Sequence, residues 1–336
     1  MLSYCYCLTL AARRRKWYNR IPARISLPGD PYSRRDRQNG GFTIMKMNAC
    51  CEQCLLEKNL DSHPEGATPA QIERYRQMIR RLIPGHPDCC APQVDRLIRD
   101  AYREVYGVAE DYTGVNRRFN RLMLTLEPEL QKAAEAADDP LLRGIQYAMA
   151  GNFIDFAVLT DVSEDQLRGM LAEADGIPVD PAVLEALRAC VRRGRRLVFF
   201  TDNSGEIVAD KVLIRMLKRE NPSLHVTVMV RGGPVANDAT MEDAVQVRMD
   251  EVADAVMGSG SNVAGNVMAL MSDEALAAVR AADVLLAKGQ GNYESLEGCG
   301  LNAFYVFMCK CQMFVDRFRV PRFSGMLIRE APKDPA

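Results

Sequence analysis

The sequence is poor in features that would assign it directly to a class of protein. Its 336 residues include three histidines and one tryptophan, and the formal net charge is -1. A charge so close to zero creates no overall field that would recruit nucleic acid or a membrane surface. No apolar run approaches the ~20 residues that a membrane-spanning helix requires. We therefore expect a cytoplasmic protein without nucleic-acid or membrane partners, of a size that suits one large or two smaller domains.

The scarcity of histidine limits the kind of metal site that the chain can build. His63, His86 and His225 are too few for a histidine-based centre. A catalytic metal would therefore be held mainly by carboxylate or amide oxygens, which favour Mg, Mn or a similar ion over zinc.

Cysteine is abundant, with eleven residues, but its distribution does not suit a disulfide framework. Neighbouring residues such as Cys89 and Cys90 are typical of reduced thiols in a cytosol. Cys51 and Cys54 form a Cys-x-x-Cys motif that His86 and Cys89 would complete as a structural metal site. Packed thiols without a metal are the alternative.

Residues 1–44 are rich in Arg, Gly and Pro, and their apolar residues show no regular period. We interpret them as a disordered or mis-assigned basic extension, with Met45 and Met47 as alternative starts. The charges follow the apolar first residues, which is the wrong order for a signal peptide. A basic arm that binds nucleic acid is the functional alternative.

Two kinds of pattern divide the remainder into a helical domain, residues 45–150, and an α/β domain, residues 151–330. In the first, apolar residues recur at three- and four-residue spacing, which predicts helices. These are expected at residues 71–83, 93–106, 115–125 and 141–150. In the second, apolar strands alternate with helices, which predicts a mostly parallel, doubly wound sheet within three α/β/α layers. The strands are expected at residues 196–201, 224–230, 255–257, 283–287 and 303–308.

Polar residues follow the first predicted strand. Asp202 and Asn203 stand at its carboxyl end, where open α/β sheets bind ligands, and adjacent oxygen ligands suit a hard cation. Glu206 and Asp210 lie four residues apart on one face of the next helix, where they would support the site. Helix capping is the alternative, since Asp and Asn both cap helices, but one cap accounts for only one of these residues.

Two further strand ends carry candidate ligands. Asp238 follows the second strand and would complete a metal site with Asp202. It precedes Thr240 and Asp243, which form a predicted capping box. Lys288 ends the fourth strand beside glycines and would bind phosphate, with a solvated lysine in a turn as the alternative.

The third strand leads into a glycine-rich loop, residues 258–265, which is a weak dinucleotide-type signal. The next strand ends without an Asp or Glu that would bind a ribose hydroxyl, which disfavours a nicotinamide cofactor. The loop leaves an S-adenosylmethionine-dependent methyltransferase as the main enzymatic alternative.

These motifs resemble the damage-control metal-dependent phosphatases, a family long catalogued as domain of unknown function eighty-nine. The resemblance covers roughly residues 50–311 and is to the prokaryotic branch, which typically has a Cys-x-x-Cys near its start, here Cys51 and Cys54. The matching stretches are residues 151–156, 202–206 with Asp210, 237–240 with Asp243, and 288–294.

The resemblance implies a fold, an activity and a site. It implies a helical domain on a three-layer α/β domain that hydrolyses phosphate monoesters of small metabolites, phosphosugars first and phosphorylated cofactor fragments next. A divalent ion (Mn, Ni, Co or Mg) would be held by Asp202, Asn203 and Asp238. Catalysis would involve Asp202, Asp238 and Asp155. The substrate would be bound by Asn152, Asp155, Glu206, Lys288 and Asn292.

The chain departs from the family pattern at one place. The family's first domain often has Asp-Pro-Tyr followed by Lys, whereas this chain has Asp111 and Tyr112 without the proline, and Asn116 near the expected lysine. Substrate contacts from the helical domain are therefore not carried over. Attack on phosphorus by an aspartate and attack by a metal-polarised water both remain open. A sensor that binds a phosphorylated metabolite without turnover is the non-enzymatic alternative.

Overall fold

The computed structural model describes residues 44–153 and 164–332. The helices in this part of the chain are α1 (Ala49–Asn59), α2 (Pro69–Gly85), α3 (Ala91–Tyr106), α4 (Thr113–Ala136), α5 (Pro140–Phe153), α6 (Glu164–Ala172), α7 (Pro181–Arg193), α8 (Glu206–Glu220), α9 (Met241–Gln246), α10 (Asp273–Arg280), α11 (Gln290–Leu296) and α12 (Gln312–Phe318). The strands are β1 (Arg196–Phe200), β2 (His225–Val230), β3 (Ala255–Gly258), β4 (Val284–Lys288), β5 (Ala303–Met308) and β6 (Gly325–Glu330).

The six strands form one sheet in the order β3-β2-β1-β4-β5-β6. The first five strands pair in parallel, and β6 pairs antiparallel with β5. The chain adds strands outward from β1 to β3, then returns to the other side of β1 with β4. This reversal places a crevice beyond the carboxyl ends of β1 and β4, where doubly wound sheets bind ligands.

The strands are buried on both faces because their apolar runs are continuous. Successive side chains of a strand point to opposite faces, so Leu197 and Phe199 join one core cluster while Val198 and Phe200 join another. The first cluster includes residues of α4, α5, α7 and α8, and the second includes residues of α10, α11 and α12. The sheet is thus covered by helices on both sides, which confirms the predicted three-layer α/β/α class.

The helices before the sheet are divided between two cores. Helix α2 begins at a capping box formed by Thr68 and Gln71, and its apolar face packs with that of α3 in a separate cluster. Helices α4 and α5 instead pack against the sheet layer. The predicted domain limit at residue 150 falls inside α5 (Pro140–Phe153) and stays a prediction.

Several elements differ from the sequence prediction. Helix α4 continues about three turns beyond residue 125, the end that the apolar period predicts. The sequence pattern predicts neither β6 nor α11. Across the described ranges, no helix combines the length and the apolar character that crossing a membrane requires.

Candidate active site at the reversal of strand order

The loops after β1 and β2 bring Asp202 and Asp238 together. Ser204 N donates to Asn237 O at 2.8 Å, and Ala239 N donates to Asp202 O at 2.7 Å. A bridge also pairs the residue after Asp202 with Asp238. Backbone hydrogen bonds therefore hold the two carboxylates beside each other, as their positions at neighbouring strand ends predict.

Two amides orient the Asp202 carboxylate. Asn203 Nδ2 donates to Asp202 Oδ2 at 3.0 Å and to Glu206 Oε2 at 2.9 Å. Asn152 Nδ2 donates to the same two oxygens at 2.9 and 3.0 Å, while its Oδ1 accepts from Met308 N. With its nitrogen so used, Asn203 can offer Oδ1 to a cation. Asn152, predicted to bind substrate, is buried and positions the carboxylate.

Arg231 joins the two aspartates and is a site residue that the sequence analysis missed. Its Nε donates to Asp238 Oδ2 at 2.6 Å, and Nη2 lies 3.3 Å from Asp202 Oδ1. Nη1 donates to Asn292 Oδ1 at 2.8 Å. The side chain is only 1% exposed. A charged residue directly after the buried strand β2 and before Gly232 is the signal that would have identified it.

Lys288 lies in the interior rather than at the open face of the crevice. Its Nζ donates to Ala148 O at 2.9 Å, forms an ion pair with Glu206, and lies 3.0 Å from Asp210 Oδ1. An ammonium group has three donors, so these contacts occupy it fully. The Lys288 ammonium is therefore engaged within the protein, and its predicted contact with phosphate stays a prediction. Glu206 and Asp210 support the site from behind, as their shared helix face predicts.

Asn292, another predicted substrate ligand, ties the ends of β1 and β4 together. Its Nδ2 donates to Thr201 O at 3.0 Å and to Lys288 O at 2.6 Å. Its Oδ1 accepts from Arg231 and from Asn266 Nδ2. The residue is fully buried, so these contacts position Arg231 and offer no surface to a ligand.

The electrostatics of Asp202 and Asp238 are unusual. Burial raises the pKa of Asp202 to about 8, with further contributions from the charges of Glu206 and Asp238, and with Arg231 and Lys310 acting in the opposite direction. Burial likewise raises the pKa of Asp238, which the charge and hydrogen bond of Arg231 oppose. Both carboxylates therefore lie where negative charge is incompletely compensated.

The balance of charges in the site fits a divalent cation. Four carboxylates face two cations, which leaves two negative charges when all of them are ionised. They are Asp202, Glu206, Asp210 and Asp238 against Arg231 and Lys288. Uncompensated buried charge is costly, and carboxylate and amide oxygens are suitable ligands for Mg or Mn. The predicted set of Asp202, Asn203 and Asp238 thus has suitable donors and suitable charge, and its occupancy by a metal stays a prediction.

Gly289 allows the turn after β4 to pass directly against Asp202. Its φ is +83°, and a Cβ atom there would lie 2.0 Å from Asp202 Oδ2. Both the backbone conformation and the space therefore require glycine at this position.

A buried network connects α4 to the turn that carries the site. Asn120 Oδ1 accepts from Gly205 N at 2.6 Å, and its Nδ2 donates to Asp243 Oδ1 at 2.8 Å. Ser204 Oγ donates to the same oxygen at 3.0 Å, and Thr240 N donates to Asp243 Oδ2 at 2.8 Å. The capping box of Thr240 and Asp243 is confirmed. Asn120 was missed, because only a polar residue on the apolar stripe of α4 signals it.

Close packing between neighbouring segments explains three glycines of the loops after β2 and β3, namely Gly232, Gly260 and Gly265. A Cβ at Gly232 would lie 2.4 Å from Ser261 N, and one at Gly260, where φ is +81°, would lie 2.7 Å from Ser272 N. A Cβ at Gly265 would lie 2.6 Å from a backbone oxygen of α11. These positions need glycine whether or not a ligand binds.

The remaining predicted residues lie apart from this site. Asp155 lies outside the described residues. Cys51 Sγ lies 3.6 Å from Met313 Sδ, in a contact between α1 and α12. Among residues 44–153 and 164–332, no group of three or more His, Cys, Asp or Glu side chains is placed to hold a metal ion. The structural metal considered for Cys51, Cys54, His86 and Cys89 therefore has no such cluster to support it.

The fold and the site together define a doubly wound α/β protein with buried carboxylates in the crevice between β1 and β4. Residues 49–324 match the model of the family described as the damage-control phosphatase ARMT1-like domain, and the chain belongs to this family.

Similar proteins come from archaea. A protein of Archaeoglobus fulgidus named damage-control phosphatase is 29% identical over 277 residues, which span 80% of this chain and 93% of that protein. A second protein named damage-control phosphatase, from Pyrococcus horikoshii, is 31% identical over 188 residues. These residues span 55% of this chain and 63% of that protein. The crystal structure of a DUF89 family protein from Pyrococcus horikoshii is similar in fold, with a TM-score of 0.72 and 22% identity, covering 85% of this chain and 99% of that one.

Proposed function

We propose that this protein is a metal-dependent phosphatase that hydrolyses phosphate monoesters of small metabolites, with phosphosugars as the first class to test. The observation that carries the proposal is the pairing of Asp202 and Asp238 at adjacent strand ends, with Arg231 between them and two negative charges in excess when all four carboxylates of the site are ionised. The names of the similar archaeal proteins support the same reaction.

The metal and the protein side chains would make different contributions to hydrolysis of the phosphate ester. A divalent cation held by Asp202, Asn203 and Asp238 would neutralise phosphate oxygens and stabilise charge in the transition state. Asp202 keeps 14% of its side chain exposed, against 7% for Asp238, so it is the carboxylate that a substrate reaches more easily. Asp202 therefore acts on the phosphorus centre, either as the attacking group or by orienting the attacking water.

Other residues of the chain hold this arrangement in place. Arg231 fixes the separation of the two aspartates, and Asn152 and Asn203 set the direction of Asp202. Burial acts to raise the pKa of the Glu206 carboxyl, but the charge of Lys288 and the hydrogen bonds from Lys288, Asn152 and Asn203 together lower it, which keeps Glu206 ionised. Such preorganisation is a principal contribution of the protein in phosphoryl transfer.

The net reaction consumes water. The bond between phosphorus and the ester oxygen breaks, a water oxygen becomes bonded to phosphorus, and the released alkoxide takes up a proton. The products are an alcohol and inorganic phosphate, so release of phosphate follows the reaction directly.

A methyltransferase that binds S-adenosylmethionine at residues 258–265 receives no support from the structure of that loop. Two of its glycines, Gly260 and Gly265, are accounted for by the packing of neighbouring segments of the chain. The site at the ends of β1 and β2 instead offers carboxylate and amide oxygens, which are suitable ligands for a divalent cation.

The proposal is tested by phosphate release from a panel of phosphosugars and p-nitrophenyl phosphate. The wild-type protein is assayed after EDTA treatment and again with Mn, Ni, Co or Mg added. We expect release only with metal. If the folded, metal-loaded protein releases no phosphate from any substrate of the panel, the proposal is contradicted. Binding of S-adenosylmethionine without metal, measured by calorimetry, would favour the methyltransferase instead.

A further inference from the structure

A cleft separate from the carboxylate cluster lies between α3 and the loop that follows β2. Its volume is about 70 Å³. The α3 wall carries Arg96, Arg99 and Arg103, whose spacing of three and seven residues places them on one helix face. The opposite wall consists of residues 234–236 and Asn262. Three arginines of α3 therefore line the same cleft as the backbone that leads to the candidate active site.

The cleft adjoins the proposed catalytic carboxylates. Ala236 forms part of its wall and precedes Asp238 by two residues, so their Cα atoms are at most ~7 Å apart. Arg99 Nη2 donates to Asn262 O at 3.4 Å, which ties α3 to the loop after β3.

The arginines are not all neutralised by close partners. Arg99 pairs closely with Asp95. Arg96 Nε is 3.6 Å from Asp100 Oδ2, too far for a good hydrogen bond, and this buried Nε has no hydrogen-bond partner among the described residues. Since an unsatisfied buried donor costs roughly 1–3 kcal/mol, such a group is well suited to a ligand that supplies an acceptor.

The cleft has room for an anionic group. A bound water needs roughly 10–15 Å³ of such volume, so about 70 Å³ holds several waters, or one phosphate or carboxylate in their place. Guanidinium groups bind both anions through paired hydrogen bonds. Asp100 and Glu110 also line the cleft, which restricts anion binding to the region beside the arginines.

We propose that this cleft is a second anion subsite and that the preferred substrates carry two anionic groups. The inference rests on the proposed phosphatase function. The scissile phosphate lies at Asp202 and Asp238, and the far end of the substrate presents a second phosphate or a carboxylate to Arg96 and Arg103. The substrate class is thus sugar bisphosphates or phosphorylated sugar acids rather than simple sugar monophosphates.

The test compares kcat/KM for three substrates with the same hexose skeleton: a bisphosphate, a phosphorylated sugar acid and a monophosphate. Arg96→Gln and Arg103→Gln are compared with wild type, and Arg80→Gln, at an exposed position of α2, is the control for loss of one positive charge. We expect wild type to prefer a dianionic substrate. Both cleft variants should lower that preference about tenfold, and Arg80→Gln should not change it. The preferred dianionic substrate identifies the second group as phosphate or carboxylate.

Two results would contradict the proposed subsite. One is that wild type shows no preference for either dianionic substrate. The other is that the cleft variants lose the same factor in kcat/KM on all three substrates. If wild type hydrolyses none of them, the proposed function fails, and the subsite is judged by thermal shift. The intact bisphosphate must then stabilise wild type more than the monophosphate does. Arg103→Gln must remove this difference in stabilisation. If it does not, the proposed subsite is contradicted as well.

Discussion

At the scale of single residues, the position of the Asp202 carboxylate depends on the groups packed around it. It accepts hydrogen bonds from Asn152 and Asn203, approaches Arg231, and lies against the backbone of Gly289. The side chain is only 14% exposed and its pKa is raised to about 8, so water can replace little of what it loses when one of these groups moves. Small changes beside Asp202 should therefore affect activity more than their size suggests.

Gly289→Ala should displace Asp202. The added Cβ would lie 2.0 Å from Asp202 Oδ2, and the backbone conformation, with φ of 83° and ψ of 156°, costs an L-residue about 1–3 kcal/mol. We expect kcat/KM for phosphate release to fall about 100-fold, as a misplacement of about 1 Å can cause. Activity assays and urea unfolding measure the two effects.

Gly85→Ala is the matched control, because a Cβ there meets no atom within 4 Å. It lies at the end of α2, and we expect unchanged activity and unchanged or slightly higher stability. Near-normal activity of Gly289→Ala would show that Asp202 is not held as the structure indicates.

Position along the chain predicts some site residues better than others. Asp202, Asn203 and Asp238 were placed together because each follows a strand and parallel strand ends meet at one edge. The direction in which the Lys288 side chain points was not predictable from its position at the end of a strand. It ends β4 as expected, but its long side chain turns inward because buried Glu206 and Asp210 attract it more strongly than the open crevice does.

At the scale of elements, helix α4 holds the turn between β1 and α8. Asn120 accepts the hydrogen bond of Gly205 N, the residue at which the chain turns into α8 with φ of +77°. The same side chain donates to Asp243, which caps α9. One residue of α4 thereby fixes the start of both helices that flank the site.

Asn120→Ala should leave Gly205 N buried without an acceptor. We expect a loss of about 1–3 kcal/mol in the free energy of unfolding, the typical cost of an unsatisfied buried group. Activity should fall as well, since the turn carries Asp202. Urea unfolding and phosphate release at saturating metal measure these effects.

Asn116→Ala, one turn earlier on α4, provides the comparison. Asn116 Oδ1 is buried without a hydrogen bond to any described residue, so removing it takes away an unsatisfied polar group and should leave stability unchanged or raise it. Equal effects of the two substitutions would contradict a specific role of Asn120.

Elements with a strong local pattern were predictable, and those defined by distant partners were not. Strands β1 to β5 were expected within a residue or two of their bounds, since continuous apolar runs mark buried parallel strands. Strand β6 has an irregular burial pattern and exists through antiparallel pairing with β5. Local sequence carries little information about such an edge strand.

At the scale of the whole molecule, the excess of negative charge links the site to stability. Four carboxylates and two cations are buried around the ends of β1, β2 and β4. A cation that binds only the folded protein stabilises it by mass action.

A divalent metal should therefore raise the melting temperature. At 100 times its dissociation constant, the metal contributes about 2.7 kcal/mol, which shifts the midpoint by several degrees. Differential scanning calorimetry with EDTA and with added Mn or Mg measures the shift. Asp238→Asn should remove most of it, and an unchanged shift in that variant would place the metal elsewhere.

The most direct test of the account is metal-dependent phosphate release by wild type and by Asp202→Asn. Asp138→Asn, an exposed carboxylate in the turn between α4 and α5, serves as the control. We predict a loss of at least about a thousandfold in kcat for Asp202→Asn, with a native melting transition, and unchanged turnover for Asp138→Asn. Near-normal turnover of Asp202→Asn at saturating metal and substrate would contradict the assignment of the active site.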